Sequence, residues 1–436
     1  MMYSVQIHWE IIMKKIFIAA FAALLLTTAA QAKESLIKAK AYLDVESGQW
    51  QSPANIWVKD GMIEAINPKA MPDGIEIVDL SGQYVLPGLM DMHTHLDMDF
   101  KGGFDHIITK EGAANGALRA AKNAEKTLMA GFTTVRNVGT VHITDELIDA
   151  ALADAIDKGW VVGPDVIAAG HMVTILGGHG DLTLGLSENL IEQSPINGIV
   201  SGVDEAIKAV RYQIKNGAKV IKIHATAGVL SLEDSVGAQQ LSDAEMKAIV
   251  EEAARHHVKV AAHAHGTEGI KAAIRAGVAS IEHGSLLDAE GMKLMKKRGV
   301  YFVPTSGLID SMAGSLDKID PKMAAKAKYV LPLAQENLSK AIKAGVPIAL
   351  GTDAPLIPHG KNALELSAMM NRGMTAAEAI RSATINTANL LGLTDRGQIK
   401  VDMRADIIAV DADALENIKT LESVVFVMKK GVIYKK

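Results

Sequence analysis

Two histidines one residue apart, His93 and His95, follow an apolar run that begins at Leu86. Side chains at alternate positions of a β-strand point to the same side, so a strand here would present both imidazoles together. Neutral imidazole is a common protein ligand for transition metals. A His-x-His pair by itself is equally typical of a solvent-exposed loop, and further residues are needed to distinguish a metal site from a loop.

A repeating strand-then-helix pattern runs from Leu89 to about Leu393 and is typical of a parallel sheet. The eight predicted strands are Leu89–His95, Thr133–Val138, Asp165–Ala169, Lys219–Ala225, Lys259–His265, Ser280–His283, Tyr301–Thr305 and Pro347–Thr352. The predicted helices between them include Gly112–Ala130, Val203–Asn216, Ser242–His256, Thr267–Ala276, Asp288–Lys297 and Pro321–Ala344. Such α/β repeats predict a (β/α)8 TIM barrel, whose active site lies at the carboxyl ends of the strands.

Metal-competent side chains lie at five of these eight strand ends. They are His93 and His95 on strand one, Lys222 and His224 on strand four, His263 and His265 on strand five, His283 on strand six and Asp353 after strand eight. A single histidine at a strand end is more often a hydrogen-bonded core residue than a ligand, but these groups converge on one edge of the barrel. The chain has no Cys, which excludes a thiolate site, so the pattern predicts imidazole and carboxylate ligands.

Extended segments before and after the barrel predict a second, smaller β domain. Residues 33–88 contain an Asp60-Gly61 hairpin turn between two apolar-alternating segments, and residues 394–436 return to extended segments. We expect these two parts to pair in one small β-sandwich built from both chain ends. Residues 89–393 then form the barrel that carries the candidate metal ligands.

The 436-residue chain is 49% hydrophobic and has a formal charge of −5, so it can bury a large core and has no basic excess for nucleic acid. Residues 1–32 are predicted to be an upstream extension and a signal peptide, with Met13–Ala32 as the signal. Its apolar part is too short to span a bilayer comfortably, and an uncleaved membrane anchor is the alternative. We therefore expect an exported protein without a membrane anchor, in a bacterial periplasm.

The metal-competent residues resemble those of the amidohydrolase superfamily in order and placement, over essentially the whole mature chain. The matching residues are His93, His95, Lys222, His263, His283 and the segment Gly351-Thr352-Asp353. Four phrases carry the resemblance further: Gly131-Phe132-Thr133-Thr134-Val135-Arg136, Gly177-Gly178-His179-Gly180, His263-Ala264-His265-Gly266 and Ile281-Glu282-His283-Gly284. They are similar to the imidazolonepropionase-related branch and, within it, to the metal-dependent bacterial Xaa-Pro dipeptidases (prolidases).

This resemblance implies two divalent metal ions, usually Zn²⁺. The implied ligands are His93, His95 and Asp353 for a buried ion, and His263 and His283 for a more exposed one. Lys222 would bridge the two ions as N6-carboxylysine, because a free ammonium group is repelled by two dications whereas a carbamate supplies two oxygens and a negative charge. Lys219, three residues earlier and on the opposite face of the strand, is the competing candidate.

The resemblance also implies catalytic and substrate-binding roles. Asp353 would take a proton from the attacking water and return it to the leaving amine, and His265 would grip the scissile carbonyl. The candidate substrate-binding residues are His171, His179, Arg136, His224 and His359. Arg136 is equally compatible with a structural salt bridge. Two residues depart from the family pattern, because Asn137 stands where an Asp often follows the Arg and His224 stands where an apolar residue is usual.

These observations predict an exported binuclear hydrolase of C–N amide bonds with a small dipeptide substrate. The most specific expectation is an Xaa-Pro dipeptidase that uses a metal-activated bridging hydroxide. The enzyme alternatives are an N-acyl-amino-acid amidohydrolase and an imidazolonepropionase-like cyclic amide hydrolase; imidazolonepropionases use one metal and lack the lysine that Lys222 matches. A periplasmic binding protein on an inactive barrel is the non-enzyme alternative. The native metal and the oligomeric state, a homo-oligomer included, stay open.

Overall fold

The computed structural model describes residues 34–99, 103–187, 193–233, 235–312, 314 and 316–436. The predicted signal sequence, Met13–Ala32, lies outside the described residues. Within the described part, no helix is both long enough and apolar enough to cross a membrane.

Strands and helices alternate along the central part of the chain, as the sequence pattern predicts. The strands of the described residues are β1 (Ser35–Asp44), β2 (Gln49–Gln51), β3 (Ala54–Lys59), β4 (Met62–Ile66), β5 (Glu76–Pro87), β6 (Leu89–Thr94), β7 (Phe132–Asn137), β8 (Asp165–Ala168), β9 (Thr174–Ile175), β10 (Ile199–Val200), β11 (Val220–His224), β12 (Lys259–Ala264), β13 (Ser280–His283), β14 (Tyr301–Val303), β15 (Ile407–Val410), β16 (Phe426–Lys429) and β17 (Val432–Lys435). The α-helices are α1 (Phe104–Lys110), α2 (Ala113–Met129), α3 (Ile148–Asp157), α4 (Val203–Lys215), α5 (Asp243–Arg255), α6 (Thr267–Ala276), α7 (Ala289–Arg298), α8 (Ser306–Met312), α9 (Pro321–Lys343), α10 (Leu364–Met370), α11 (Ala376–Ser382) and α12 (Ile385–Leu391).

The barrel wall contains two parallel sheets, β6-β7-β8 and β11-β12-β13-β14. A backbone hydrogen bond joins them at one side, where Lys219 N donates to Ala168 O at 2.7 Å just before β11 begins. Because all of these strands are parallel, their carboxyl ends meet at one end of the barrel. That end carries the predicted metal-competent residues.

The predicted eighth strand, Pro347–Thr352, is not a regular strand in the structure. Its backbone divides its hydrogen bonds between two neighbours: Ala349 N donates to Phe302 O of β14 at 3.0 Å, and Met92 N of β6 donates to Leu350 O at 2.9 Å. Neither β14 nor β6 therefore makes enough hydrogen bonds with this segment to form a continuous β-ladder. For that reason the prediction of a regular strand at Pro347–Thr352 is wrong. The segment nevertheless closes the ring between β14 and β6 and gives the predicted (β/α)8 barrel.

A second sheet contains strands from both chain ends, in the order β17-β16-β15-β5-β1-β3-β4 with β2 paired to β1. β15 pairs with β5 in antiparallel register, with Ile408 opposite Leu86, so the C-terminal strands lie beside the N-terminal ones as predicted. The sheet has its own apolar core, formed by Ile37, Ile56, Val58, Ile63, Val78, Leu80, Val85, Ile399, Ala405, Ile407, Ala409, Phe426 and Met428. This small domain continues from β5 directly into β6, the strand that carries His93.

Local signals in the sequence fix where the outer helices begin and end. The predicted capping box of α5 is present, because Ser242 N donates to Glu245 Oε2 at 2.8 Å and Glu245 N donates to Ser242 Oγ at 3.3 Å. Gly277 follows α6 with a φ of 105°, a left-handed conformation that costs glycine little. These caps set the length of each helix and hence where the next strand begins.

Candidate metal centre

The end of β6 brings two imidazoles beside a carboxylate. His93 Nε2 lies 3.5 Å and His95 Nε2 lies 3.4 Å from the same oxygen, Asp353 Oδ1. Thr94, between the two histidines, instead donates its hydroxyl to Arg136 O at 3.2 Å. Asp353 is held at this place by its backbone N–H, which donates to His93 O at 2.8 Å. The alternation predicted for this strand end therefore gathers three metal-competent groups.

His283 and His263 extend this group along the neighbouring strands β13 and β12. The ring centroid of His283 lies 4.9 Å from that of His93 and 4.7 Å from that of His263. Ligand atoms of His93, His283 and Asp353 all lie within 4.8 Å of one another. The residues predicted for both ions thus meet at the same end of the barrel.

Three of the candidate ligands use their Nδ1 atoms for hydrogen bonds within the protein. The pairs are His93 Nδ1 with Glu282 Oε2 at 2.9 Å, His95 Nδ1 with Gly139 O at 2.9 Å and His283 Nδ1 with Thr305 Oγ1 at 2.8 Å. The Thr305 hydroxyl donates to Pro304 O at 2.8 Å, so toward the imidazole it can only accept. Every partner is therefore an acceptor, which places the proton on Nδ1 and leaves the Nε2 lone pair for a metal.

Lys222 lies inside the barrel on β11, with 1% of its surface exposed, whereas Lys219 is exposed. Burial lowers the pKa of Lys222 to about 8, against the opposing effect of the carboxylates of Glu282 and Asp353. A lysine with a lowered pKa has a neutral fraction that can react with carbon dioxide. The structure thus agrees with Lys222, and not Lys219, as the residue that would be carboxylated.

The electrostatics of the site favour metal binding. Burial lowers the pKa of His93, His263 and His283 well below the ordinary value for histidine. Burial alone would raise the pKa of Asp353, but the adjacent His93 and His95 together hold it at about 2. Burial would lower the pKa of His95 as well, but its hydrogen bond to Asp353 raises that pKa above the ordinary value. At neutral pH the site therefore presents the neutral imidazoles of His93, His263 and His283 beside an ionised carboxylate, the protonation states in which these groups bind a metal.

The donor set fits a pair of divalent ions. It combines imidazole nitrogens with unused lone pairs, one ionised carboxylate and one buried amine. Nitrogen and oxygen donors of this kind suit zinc and other first-row divalent ions. The residues present therefore fit the two ions that the resemblance implies, and Lys222, once carboxylated, would be the bridging residue.

His179 and His224 form a second group with His263, in which the ligand atoms also lie within 4.8 Å of one another. The rings of His179 and His263, however, stack with centroids 4.2 Å apart and planes at 29°. An imidazole lone pair lies in the plane of its ring. The planes of these two stacked rings are offset from each other, so their lone pairs do not converge on one ion. We therefore assign His179 and His224 to the wall of the pocket, next to the metal ligands.

Two glycines allow loops to close over these histidines. A Cβ atom at Gly180 would lie 2.1 Å from the His224 ring, and one at Gly228 would lie 2.3 Å from the His179 ring. His179 Nδ1 also lies 2.8 Å from Ser231 Oγ. The Gly-rich loop after β9 packs closely against His224, and the loop after β11 packs closely against His179.

His265 lies beside the candidate ligand His283. The two rings stack with centroids 5.2 Å apart, and His265 Nδ1 lies 2.8 Å from Ser285 Oγ. Burial lowers the pKa of His265 to about 3, so its ring is neutral at neutral pH. Because Ser285 engages Nδ1, the Nε2 atom is left for a substrate, in agreement with the role expected at the scissile carbonyl.

Two other candidate substrate residues, His171 and His359, are partly engaged by the protein. His359 Nε2 donates to His95 O at 3.2 Å, so this ring supports the backbone at the end of β6. His171 Nδ1 lies 3.3 Å from Thr140 Oγ1, and its buried Nε2 has no hydrogen-bond partner among the described residues. His359 Nδ1 is likewise buried without a hydrogen-bond partner among the described residues, so each of the two rings keeps one polar atom for a ligand or a water molecule.

Arg136 occupies the barrel interior with 1% of its surface exposed. Its guanidinium group donates to Glu282 Oε1 at 2.7 Å, to Ser280 Oγ at 3.0 Å and to Met92 O at 2.6 Å. This is the structural salt bridge that the sequence left open. The substrate-binding assignment of Arg136 is accordingly corrected, because burial and these three contacts remove it from the substrate.

Glu282 and Asp91 contact the site but were not singled out from the sequence. Asp91 accepts hydrogen bonds from His93 N at 3.0 Å and from Thr352 Oγ1 at 2.6 Å, so it braces the strand end and the turn that follows Thr352. Burial raises the pKa of Asp91 to about 6. The sequence did contain a signal for Asp91, because it is a charged residue in a largely apolar strand and stands two positions before the candidate ligand His93.

Known proteins resemble this chain over most of its length. A sequence model described as "Amidohydrolase family" matches residues 84–434. Ochratoxinase from Aspergillus niger is 37% identical over 374 residues, which cover 80% of this chain and 75% of that protein. Imidazolonepropionase from Caldanaerobacter subterraneus subsp. tengcongensis is 27% identical over 409 residues, which cover 86% of this chain and 87% of that protein. A crystal structure of a Xaa-Pro dipeptidase with methionine in its active site superposes with a TM-score of 0.87 at 38% identity, covering 93% of this chain and 100% of that chain.

Proposed function

The chain belongs to the amidohydrolase family, and we propose that it is a two-metal hydrolase that cleaves dipeptides, with proline favoured as the released residue. The observation that carries this proposal is that the candidate ligands of both ions lie close together at one end of the barrel, where the carboxylates of Glu282 and Asp353 also act on the pKa of the buried Lys222. The similarity to a Xaa-Pro dipeptidase over nearly the whole chain supports the substrate class.

The residues at the strand ends can perform amide hydrolysis. Two ions held there would polarise the scissile carbonyl and lower the pKa of the attacking water. Asp353 is ionised and placed between the two imidazoles of β6, so it can take the proton of that water. The same group then delivers the proton to the leaving nitrogen, and such general acid–base help is typically worth about 10²–10⁴-fold in rate.

The surrounding histidines can bind a dipeptide as neutral hydrogen-bonding groups. Burial lowers the pKa of both His265 and His224, so each ring offers one N–H donor and one acceptor. Ser285 fixes the orientation of His265, and the loop glycines fix that of His224. A donor at His265 would hold the scissile carbonyl oxygen, whereas the pocket wall at His179 and His224 would contact the rest of the peptide.

A second candidate is an N-acyl-amino-acid amidohydrolase. It is favoured by the 37% identity to ochratoxinase, whose name indicates a substrate other than a dipeptide. The imidazolonepropionase-like cyclic amide hydrolase is supported less well, because a buried lysine with a lowered pKa has a use in a two-ion site and none in a one-ion site. A binding protein on an inactive barrel would likewise need neither Lys222 nor Asp353.

A substrate panel on zinc-loaded protein tests the proposed function. We would compare Xaa-Pro dipeptides, dipeptides with other C-terminal residues, N-acyl-prolines and cyclic amides, and measure the free amino acid released. We expect the Xaa-Pro dipeptides to have the highest kcat/KM of these four groups of compounds. Faster release from the N-acyl compounds would favour the second candidate, and tight binding without turnover of any compound would favour the binding protein.

We also propose that the protein is exported, from the signal-like composition of Met13–Ala32. Mass spectrometry of the native protein should then find an N-terminus near Lys33 and no full-length product. A full-length chain recovered from the cytoplasm would contradict export without affecting the proposed chemistry.

A further inference from the structure

The candidate ligands differ in what holds the far side of each imidazole. His93 Nδ1 faces a carboxylate, Glu282 Oε2, at 2.9 Å. His95 and His283 face neutral acceptors, a backbone carbonyl and a hydroxyl. His263 makes no hydrogen bond to a carboxylate through either ring nitrogen among the described residues, and its Nε2 is buried without a partner there. Hydrogen bonds to an ionised acceptor are roughly twice as strong as neutral ones, so His93 is held most firmly.

Glu282 is itself fixed from two sides. Its second oxygen, Oε1, accepts from Arg136 Nη2 at 2.7 Å and from Ser280 Oγ at 2.5 Å. Arg136 Nε also donates to Met92 O at 2.6 Å, one residue before His93. The guanidinium group thus clamps both the carboxylate that orients His93 and the backbone that carries it. The side chains of Glu282 and Arg136 are no more than 2% exposed, so water does not screen these contacts.

We propose that Glu282, clamped by Arg136, is the positioning residue of the metal centre, and that it makes the ion at His93, His95 and Asp353 the more tightly held of the two. The inference rests on the two-ion function proposed above. A carboxylate that accepts from Nδ1–H fixes the tautomer and the ring plane and raises the basicity of Nε2, and loss of such a partner typically costs about 10–100-fold in metal affinity. Among the described residues, neither His263 nor His283 hydrogen-bonds to a carboxylate, so an ion held there would have no comparable charged support.

Zinc affinity measured by competition with a chromophoric chelator tests this inference. We expect wild type to release its two ions with distinct dissociation constants. Crystals grown with one equivalent of zinc should show anomalous scattering at His93, His95 and Asp353. Glu282→Gln should weaken binding of this ion by about 10–100-fold. In crystals of this variant grown with one equivalent of zinc, the anomalous scattering should move toward His263 and His283.

Thr305→Val provides the matched control. It removes the neutral acceptor of His283 with almost no change of shape, so it should weaken the second ion by a smaller factor and leave the first ion unchanged. If Glu282→Gln binds both ions as wild type does, or if the two variants weaken the same ion equally, the positioning role of Glu282 is overturned.

A double variant keeps the test decisive if Glu282→Gln does not fold. The single change leaves the Arg136 cation buried without its carboxylate, whereas Arg136→Met with Glu282→Gln removes both charges together. The double variant should show the same loss of affinity for the first ion, and wild-type affinity there would overturn the inference. If wild type itself holds no ion, the proposed two-metal function fails; if it holds two and the variants do not differ from it, only the inference fails.

Discussion

The two ends of the barrel hold largely buried carboxylates, each with 13% of its side chain exposed, in different surroundings. At the amino end, Asp165 begins β8 and lies 2.7 Å from Arg396, 2.6 Å from Arg404 and 3.4 Å from Lys429. At the carboxyl end, Asp353 lies among imidazole nitrogens whose lone pairs the protein leaves unused. Asp165 is therefore neutralised by cations of the protein itself, whereas the groups around Asp353 could hold metal ions.

This difference distinguishes a carboxylate with a structural role, Asp165, from one that is placed for catalysis, Asp353. Burial would raise the pKa of Asp165, but Arg404 and Lys429 beside it hold the pKa far below the ordinary value. Asp165 joins the barrel to the small β domain, because Arg396, Arg404 and Lys429 belong to the C-terminal part of the chain. Burial alone thus does not identify a carboxylate that takes part in catalysis. The groups that surround the carboxylate, cations or metal-competent imidazoles, do identify it.

The largest effect is expected from Asp353→Asn, which should lower kcat by about 10²–10⁴-fold or more. An amide can still offer one oxygen to a metal but cannot accept the proton of the attacking water. Steady-state kinetics with metal content confirmed should show this loss, and binding of a product-like amino acid should change much less than turnover. Near-normal turnover would mean that Asp353 has only a structural role.

The same substitution at the other end, Asp165→Asn, should have the opposite outcome. It removes the salt-bridge partner of Lys429 and one of the acids beside Arg396 and Arg404, which keep Asp395 and Asp406. We expect the free energy of unfolding to fall by about 3 kcal/mol. Its kcat on the preferred dipeptide should equal that of wild type. Urea unfolding of metal-loaded protein measures the first expectation. Unchanged stability, or a loss of kcat in folded protein, would contradict the comparison of the two ends.

An effect that develops gradually with pH is expected at Glu365, which accepts from Ser306 N at 2.7 Å and from Gly307 N at 2.5 Å. Burial raises the pKa of Glu365 to about 8. A raised folded-state pKa gives stability that is complete below the unfolded pKa near 4.3 and is lost as the pH rises toward 8, by up to about 1.4 kcal/mol per pH unit. Glu365→Gln should remove this slope. Parallel curves of Tm against pH from 5 to 8.5 for the two proteins would contradict the assignment.

Much of the fold could be predicted because its signals are local. Alternation at His93 and His95 and the capping box at Ser242 depend on neighbours within a few residues. The segment Pro347–Thr352 was predicted as a strand because its composition fits one, but its division of hydrogen bonds between two partners depends on the closed ring.

The supports of the site could not be predicted, because they join residues far apart in the chain. Arg136 and Glu282 are 146 positions apart and meet only when β7 and β13 enter the same barrel. Asn137, a departure from the family pattern, likewise has a structural explanation, since its side chain accepts from Leu96 N at 2.7 Å and donates to Asp149 at 3.2 Å. Residue type and spacing indicate candidate ligands, whereas the hydrogen bonds that orient them appear only in three dimensions.

Metal content per chain, measured by mass spectrometry on dialysed wild type and on Lys222→Ala, tests the two-metal centre most directly. Wild type should retain about two divalent ions per chain. Lys222→Ala should lose most of the second ion and nearly all activity, because no carbamate can bridge the pair, while the exposed Lys219→Ala serves as the matched control and should retain both ions. A Lys222→Ala protein that keeps two ions and normal turnover would contradict a metal centre built around this lysine.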